Sequence, residues 1–393
     1  IKGAGSEHLY NGAAFADKAN AVVVTVNYRV GSFGWFSNSA LSEGDLGDDS
    51  GNFATLDLIK GLQWVQDNIG QFGGDANSVT IAGQSAGCIN AWGLLQSPLA
   101  VNLVDRMLCT SGLPVVSSAA QGQKQSTDVM NALLIENGYA SNAAEAEEFR
   151  LNQTDSWIRT FLRALPAEAI VRHTPSGIRS HFTDGYVIPA EGYTSLLLGH
   201  YNKVPMILGN TKDEGTFFVG DAGFYSATDA EIWELVNSQN PESVAVTDVV
   251  AAELVPLYRP LHKTLSLAIT LTVDNICRYL SLLQDAVYRY DFEWDSSPKP
   301  WDEIFGALHG MDLPFLFGNF LNADQADLTR FMISAENQSQ REALSDDFIQ
   351  YVAQFMRNGN PNRLFDRLPY WHQWSNFWSA KKRLVLDSDL RTS

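Results

Sequence analysis

Short apolar, β-branched runs punctuate this chain, separated by segments whose apolar residues recur at helical spacing. Residues 21–28 (Ala-Val-Val-Val-Thr-Val-Asn-Tyr) form one such run. It predicts a buried strand of a parallel sheet, which is covered on both faces. Residues 31–52, rich in Gly, Ser and Asp, predict loop. Leu56, Ile59, Trp64, Val65 and Ile69 recur at helical spacing and predict a helix, broken at Phe72-Gly73-Gly74-Asp75. Residues 78–82 predict a second strand ending on Gly83. A helix from Ala86 to Leu95 follows, stopped before Pro98, and then a strand from Arg106 to Thr110. Further strands are predicted at 204–209, at 286–292 by period-two alternation, and at 384–386. The last helix is predicted over 346–356, closed by the turn Asn358-Gly359-Asn360-Pro361.

Strand and helix alternate, which implies an α/β fold with a mostly parallel, twisted central sheet flanked by helices. Residues 120–200 and 225–285 read as helical insertions. Core strands recur almost to the end, so residues 1–393 are expected to form a single domain.

Composition narrows the function. The 393 residues are 45% hydrophobic and 18% charged, as in a globular enzyme. Asp and Glu number 45 against 27 Lys and Arg, a net charge of −18. That balance argues against nucleic acid and anionic membranes as partners. No apolar run approaches the 18 residues of a membrane span, so no integral membrane segment is expected. Cys88, Cys109 and Cys277 allow at most one bridge, and their apolar contexts favour buried thiols. No His/Cys spacing suits a metal, and the chemistry below calls for no cofactor.

That chemistry centres on Gly83-Gln84-Ser85-Ala86-Gly87, between a predicted strand and a predicted helix. A sharp strand-to-helix turn presents the hydroxyl of its serine at the end of the sheet. The glycines let strand and helix pass closely, and the Ala86 N–H becomes an oxyanion donor at a helix N-terminus. A serine needs a base. Among seven histidines, His309 is favoured, because Leu308-His309-Gly310-Met311 reads as a loop after a strand. The acid is expected earlier in the chain, and both Asp213 and Glu214 follow the strand at 204–209.

The stretch Gly51-Asn52, Leu62-Gln63-Trp64-Val65-Gln66-Asp67-Asn68-Ile69, Phe72-Gly73-Gly74-Asp75 and Val79-Thr80-Ile81 resembles the type-B carboxylesterase and cholinesterase family of α/β-hydrolases. Asn27-Tyr28-Arg29, Ser97-Pro98, Ser111-Gly112 and the stretch around Asn358-Gly359-Asn360-Pro361-Asn362 extend the resemblance over nearly the whole chain. It implies a carboxylic-ester hydrolase acting through an acyl-enzyme on a small-molecule ester of short to medium chain. Lys212-Asp213-Glu214-Gly215 resembles the segment of the catalytic glutamate, and so selects Glu214. His309-Gly310 resembles the catalytic-histidine segment. By the same resemblance Ser111 and Gln84 support the triad, and Phe217 and Phe218 line the substrate pocket.

Gln84 stands where the family commonly has Glu, which disfavours choline esters. Cys88 replaces a common Gly, and Ala76 a common Pro. Gly3-Ala4-Gly5-Ser6 and Tyr10-Asn11-Gly12 match the end of the family's oxyanion segment, whose His-Gly-Gly-Gly would precede Ile1. The expectation is an N-terminally incomplete domain, with an N-terminal segment of the same enzyme carrying the oxyanion glycines; the alternative is that Lys2-Gly3-Ala4-Gly5 is itself a degenerate oxyanion loop. A non-catalytic adhesion protein on this fold is the rival from another class, and a lipase or thioesterase the rival among enzymes. Asn152 and Asn337 fit the glycosylation acceptor pattern.

Overall fold

A computed structural model describes residues 4–174, 180–238, 241–320, 331–364 and 367–393. Among the described residues, six strands form one sheet in sequential order: β1 (Thr80–Gln84), β2 (Arg106–Thr110), β3 (Met206–Thr211), β4 (Val287–Phe292), β5 (Leu384–Leu386) and β6 (Arg391–Thr392). The first five are parallel and β6 closes the edge antiparallel.

Period-two alternation sorts the side chains between two cores. Met107, Cys109, Met206, Leu208 and Val287 face one core. There they meet Ala91, Trp92 and Leu95 of the helix Ala86–Gln96 and Val273, Ile276 and Leu280 of the helix Val255–Leu280. Leu108, Ile207, Tyr288, Tyr290 and Phe292 face the other, against Phe348, Tyr351, Val352 and Phe355 of the helix Gln338–Asn358. Helices thus cover both faces, and the strand ends after Gln84, Thr110 and Thr211 share one edge of the sheet. Residues 119–172 carry four helices.

The run at 21–28 corrects the sequence reading, because it forms no strand. Val22 and Val24 are 40% and 42% exposed. A strand requires a ladder partner as well as β-branched residues, and among the described residues this run has none. Only some members reach inward: Ala21 and Val23 pack on the core around Tyr290, and Val26 lies against Gly61.

The cysteine expectation is also corrected in part. All three are buried, but Cys88 and Cys109 form a disulfide and only Cys277 is free. The bridge ties the helix Ala86–Gln96 to β2, with Cα atoms 4.9 Å apart. Asn337, for its part, is buried, its Nδ2 donating to the Ser296 and Met332 carbonyls at 2.9 and 2.8 Å. No helix of the described residues is long and apolar enough to cross a membrane.

Candidate active site

Ser85 sits between β1 and the helix Ala86–Gln96 with φ 54° and ψ −116°. A non-glycine residue there is strained by roughly 1–3 kcal/mol. Surrounding structure holds it: the Ser85 N–H donates to the Thr110 carbonyl at 2.8 Å, and the Ser85 carbonyl accepts from Ile89 N at 3.1 Å. A methyl group on Gly83 would lie 2.2 Å from the Gly87 carbonyl carbon, so strand and helix cross there in near contact. One on Gly112 would meet the Ser85 carbonyl oxygen at 2.6 Å and Cys88 Cβ at 2.5 Å. Gly87 itself has open space where a Cβ would stand, so the crossing constrains Gly83 and Gly112 more than the second glycine of the motif. Ala86 opens the helix, where an amide has no intrahelical partner and points toward incoming negative charge.

At the end of the next strand Ser111 repeats the positive φ, at 53°. At the end of β3, Lys212-Asp213 turns into the short helix Glu214–Val219. The two acidic candidates part company here. Asp213 Oδ2 accepts from Ala307 N at 3.1 Å, and Asp213 N donates to the Ala307 carbonyl at 3.0 Å. Asp213 therefore pins the histidine loop by its backbone. Glu214 is buried, accepts from Thr211 N at 2.8 Å through Oε1, and meets His309 Nδ1 with Oε2.

The His309 side chain is 6% exposed. Burial alone would lower its pKa, but the charge and hydrogen bond of Glu214 outweigh burial and raise it above the ordinary histidine value. Burial pushes Glu214 upward, yet the charge and hydrogen bond of His309, with Ser111 and the Thr211 amide, bring it below the ordinary range. The Ser111 hydroxyl acts there as a nearby dipole, since among the described residues it completes no hydrogen bond of its own. The pair is thus an ionised carboxylate holding an imidazole by Nδ1, which leaves Nε2 as the proton acceptor.

Nε2 is turned toward the end of β1, where Gln84 Nε2 lies 3.1 Å from it. The rings of Phe217 and Phe218 flank the imidazole at 5.2 and 5.0 Å between centroids. A cavity of about 530 Å³ lined by Gly5, His8, Tyr10, Ala16, Val23 and Thr25 among others touches none of Ser85, Glu214 and His309. It is open surface beside residues 21–28.

Sequence reasoning missed one neighbour. Asp312, fully buried three residues after His309, accepts from the Tyr290 hydroxyl at 2.5 Å. An acid inside the apolar run 311–317 was the available signal. Gln84, expected from the resemblance to support the triad, meets His309 across 225 residues of chain. Lys2 and Gly3 of the alternative oxyanion loop lie outside the described residues. The amides of Ala4 and Gly5 are engaged by Glu7 Oε1 and Asn27 Oδ1 at 2.9 and 2.8 Å. Among the described residues, no group of three or more His, Cys, Asp or Glu side chains could hold a metal ion.

Residues 2–393 match the model of the carboxylesterase family. The chain is 28% identical to the para-nitrobenzyl esterase of Bacillus subtilis over 99% of its own length and 73% of that protein. It is 29% identical to carboxylesterase 1C of Mus musculus, over 94% of itself and 65% of that protein. A carboxylesterase structure from Geobacillus stearothermophilus superposes with a TM-score of 0.73 at 24% identity, covering all of this chain and 77% of the other. That likeness shows the α/β-hydrolase fold. The chain therefore spans between about two thirds and three quarters of these relatives.

Proposed function

The chain belongs to the carboxylesterase family, and on that premise we propose that it is a serine hydrolase of carboxylic esters with Ser85 as nucleophile, His309 as base and Glu214 as the acid that orients it. The observation that carries this reading is the arrangement of His309. Its Nδ1 is held by Glu214, and its Nε2 is turned to the strand end that leads into the strained Ser85.

In this mechanism Ser85 Oγ attacks the ester carbonyl carbon while its proton passes to His309 Nε2. The tetrahedral oxyanion is met by the Ala86 N–H. His309 then protonates the leaving alcohol, and the C–O bond breaks to give an acyl-enzyme. Water, deprotonated by His309, attacks the acyl carbon and releases the acid and Ser85. Glu214 stays ionised throughout and stabilises the imidazolium. The remaining oxyanion donors belong, in the same proposal, to a glycine-bearing N-terminal segment of the same enzyme. Support comes from Ala4 and Gly5, whose amides are engaged elsewhere. Phe217 and Phe218 form an apolar wall beside His309, suited to an acyl chain of short to medium length. The single sheet running from β1 to β6 supports treating the chain as one catalytic domain.

The test is hydrolysis of nitrophenyl acetate, butyrate and longer esters, beside labelling by a fluorophosphonate probe. Wild type should turn over the short esters and become labelled at Ser85. Ser85→Ala should do neither, and turnover retained in that variant would overturn the assignment.

A further inference from the structure

The lone pair of His309 Nε2 is the atom that must receive the Ser85 proton, and a side-chain amide already occupies it. Gln84 Nε2 lies 3.1 Å away. The roles of the two atoms are fixed by their neighbours. Glu214, ionised and buried, takes the proton-bearing Nδ1, so Nε2 of the neutral ring can only accept. The Gln84 group facing it is therefore the donating NH₂. Gly310 makes room for that amide: a Cβ there would stand 3.2 Å from Gln84 Nε2 and 3.6 Å from its Cδ.

We propose that Gln84 is a positioning residue which holds His309 in its proton-accepting tautomer at rest and yields Nε2 to Ser85 when an ester enters. This rests on the serine-hydrolase reading above and deepens it. One ring nitrogen has one lone pair, so Gln84 and Ser85 cannot both bond it well at the same time. The NH₂ of Gln84 suits only the neutral ring. Once Nε2 carries the serine proton, the amide must turn its carbonyl oxygen toward it. Gln84 thus favours neutral imidazole before attack and tolerates imidazolium after it. A carboxylate at the same position could only accept, so it would favour the protonated ring and raise the pH at which the ring becomes neutral.

The other groups facing the ring are named by the structure. Glu214 reaches it from the helix Glu214–Val219, Asp312 from the segment after the loop, and the Phe217 and Phe218 rings from the sides. None of them touches Nε2 as Gln84 does. Gln84 therefore sets the preference for the neutral ring at that atom, while Glu214 sets it at Nδ1.

The experiment compares wild type, Gln84→Glu and Gln84→Ala by the pH dependence of kcat/KM and by ¹⁵N NMR titration of His309, assigned with His309→Asn. Gln84→Glu should move the acid limb and the NMR midpoint upward by at least one pH unit, a tenfold loss of kcat/KM below the limb. Gln84→Ala should move both upward by less. Profiles of Gln84→Glu that superimpose on wild type would overturn the proposal. If wild type hydrolyses no ester, the function reading fails, while the NMR midpoints still decide the role of Gln84.

Discussion

The Tyr290 hydroxyl donates to Asp312 Oδ2 across 2.5 Å, and both side chains are fully buried. The second carboxyl oxygen of Asp312 has no hydrogen-bond partner among the described residues. Burial pushes the Asp312 pKa up to about 6; the Tyr290 bond opposes this, and the Glu214 charge adds to it. A carboxyl raised on folding stabilises in its protonated form. Its contribution is complete below about pH 4 and lost as pH rises through 6. Asp312→Asn keeps an acceptor for Tyr290 and stays neutral at every pH. The variant should match wild type in urea unfolding at pH 4 and exceed it at pH 8, by roughly 3 kcal/mol at most. An Asn variant less stable than wild type at pH 8 would show that the charged acid is the stabilising form.

The two glycines of the motif around Ser85 should respond oppositely to alanine. A Cβ on Gly83 meets backbone of the helix at 2.2 Å, and backbone cannot rotate away. Gly83→Ala should cost on the order of 1–3 kcal/mol or more and displace Ser85, with loss of ester hydrolysis. A Cβ on Gly87 meets nothing. Within a helix that change should be neutral or stabilising by up to about 1 kcal/mol. Thermal unfolding of both variants decides the matter; equal losses would mean the helix start is held differently.

What the sequence made legible follows from what each element depends on. The strands at 106–110 and 384–386 depend on short apolar runs, and their bounds match the structure. The run at 21–28 has the same composition and fails, because composition does not say whether a neighbouring strand exists. The helix predicted over 346–356 begins at Gln338; in its missed first turns the buried Arg341 breaks the apolar period. Ser85 was legible because strand, turn and helix are contiguous. Glu214 required a resemblance to separate it from Asp213; the structure shows the physical difference, one carboxylate turned to a ring and the other to a backbone amide. Gln84 was reached through the resemblance, whereas Asp312 meets Tyr290, 22 residues away in the chain, and no local pattern encodes that contact.

Cys88 and Cys109 close a loop with a sequence separation of 21 between the elbow helix and β2. Chain entropy for a loop of that size corresponds to about 3 kcal/mol. Thiol titration of the unfolded, unreduced protein should find one thiol, from Cys277, and three after reduction. Cys88→Ala together with Cys109→Ala should lower stability by roughly 2–4 kcal/mol. Three thiols before reduction would remove the bridge from the account.

Glu214→Gln tests how the acid controls the base. In the wild type Glu214 outweighs burial and lifts the His309 pKa above the ordinary histidine value. In the proposed mechanism His309 must be neutral to accept the Ser85 proton, so the acid limb of kcat/KM should lie above that value. Glutamine removes the charge and leaves burial, which lowers the His309 pKa. The limb should therefore move to lower pH in the variant, even as kcat falls by roughly 10³–10⁴-fold because the imidazolium loses its counter-charge and its tautomer is no longer fixed. The linkage to stability has the same sign. A histidine raised on folding contributes stability below its unfolded pKa, and that contribution is lost as pH rises through the folded value. Glu214→Gln should accordingly flatten the fall in stability above neutral pH. A pH–rate profile from pH 5 to 9 with parallel urea unfolding checks both. A limb that stays in place while kcat falls would mean that Glu214 orients His309 without setting its charge.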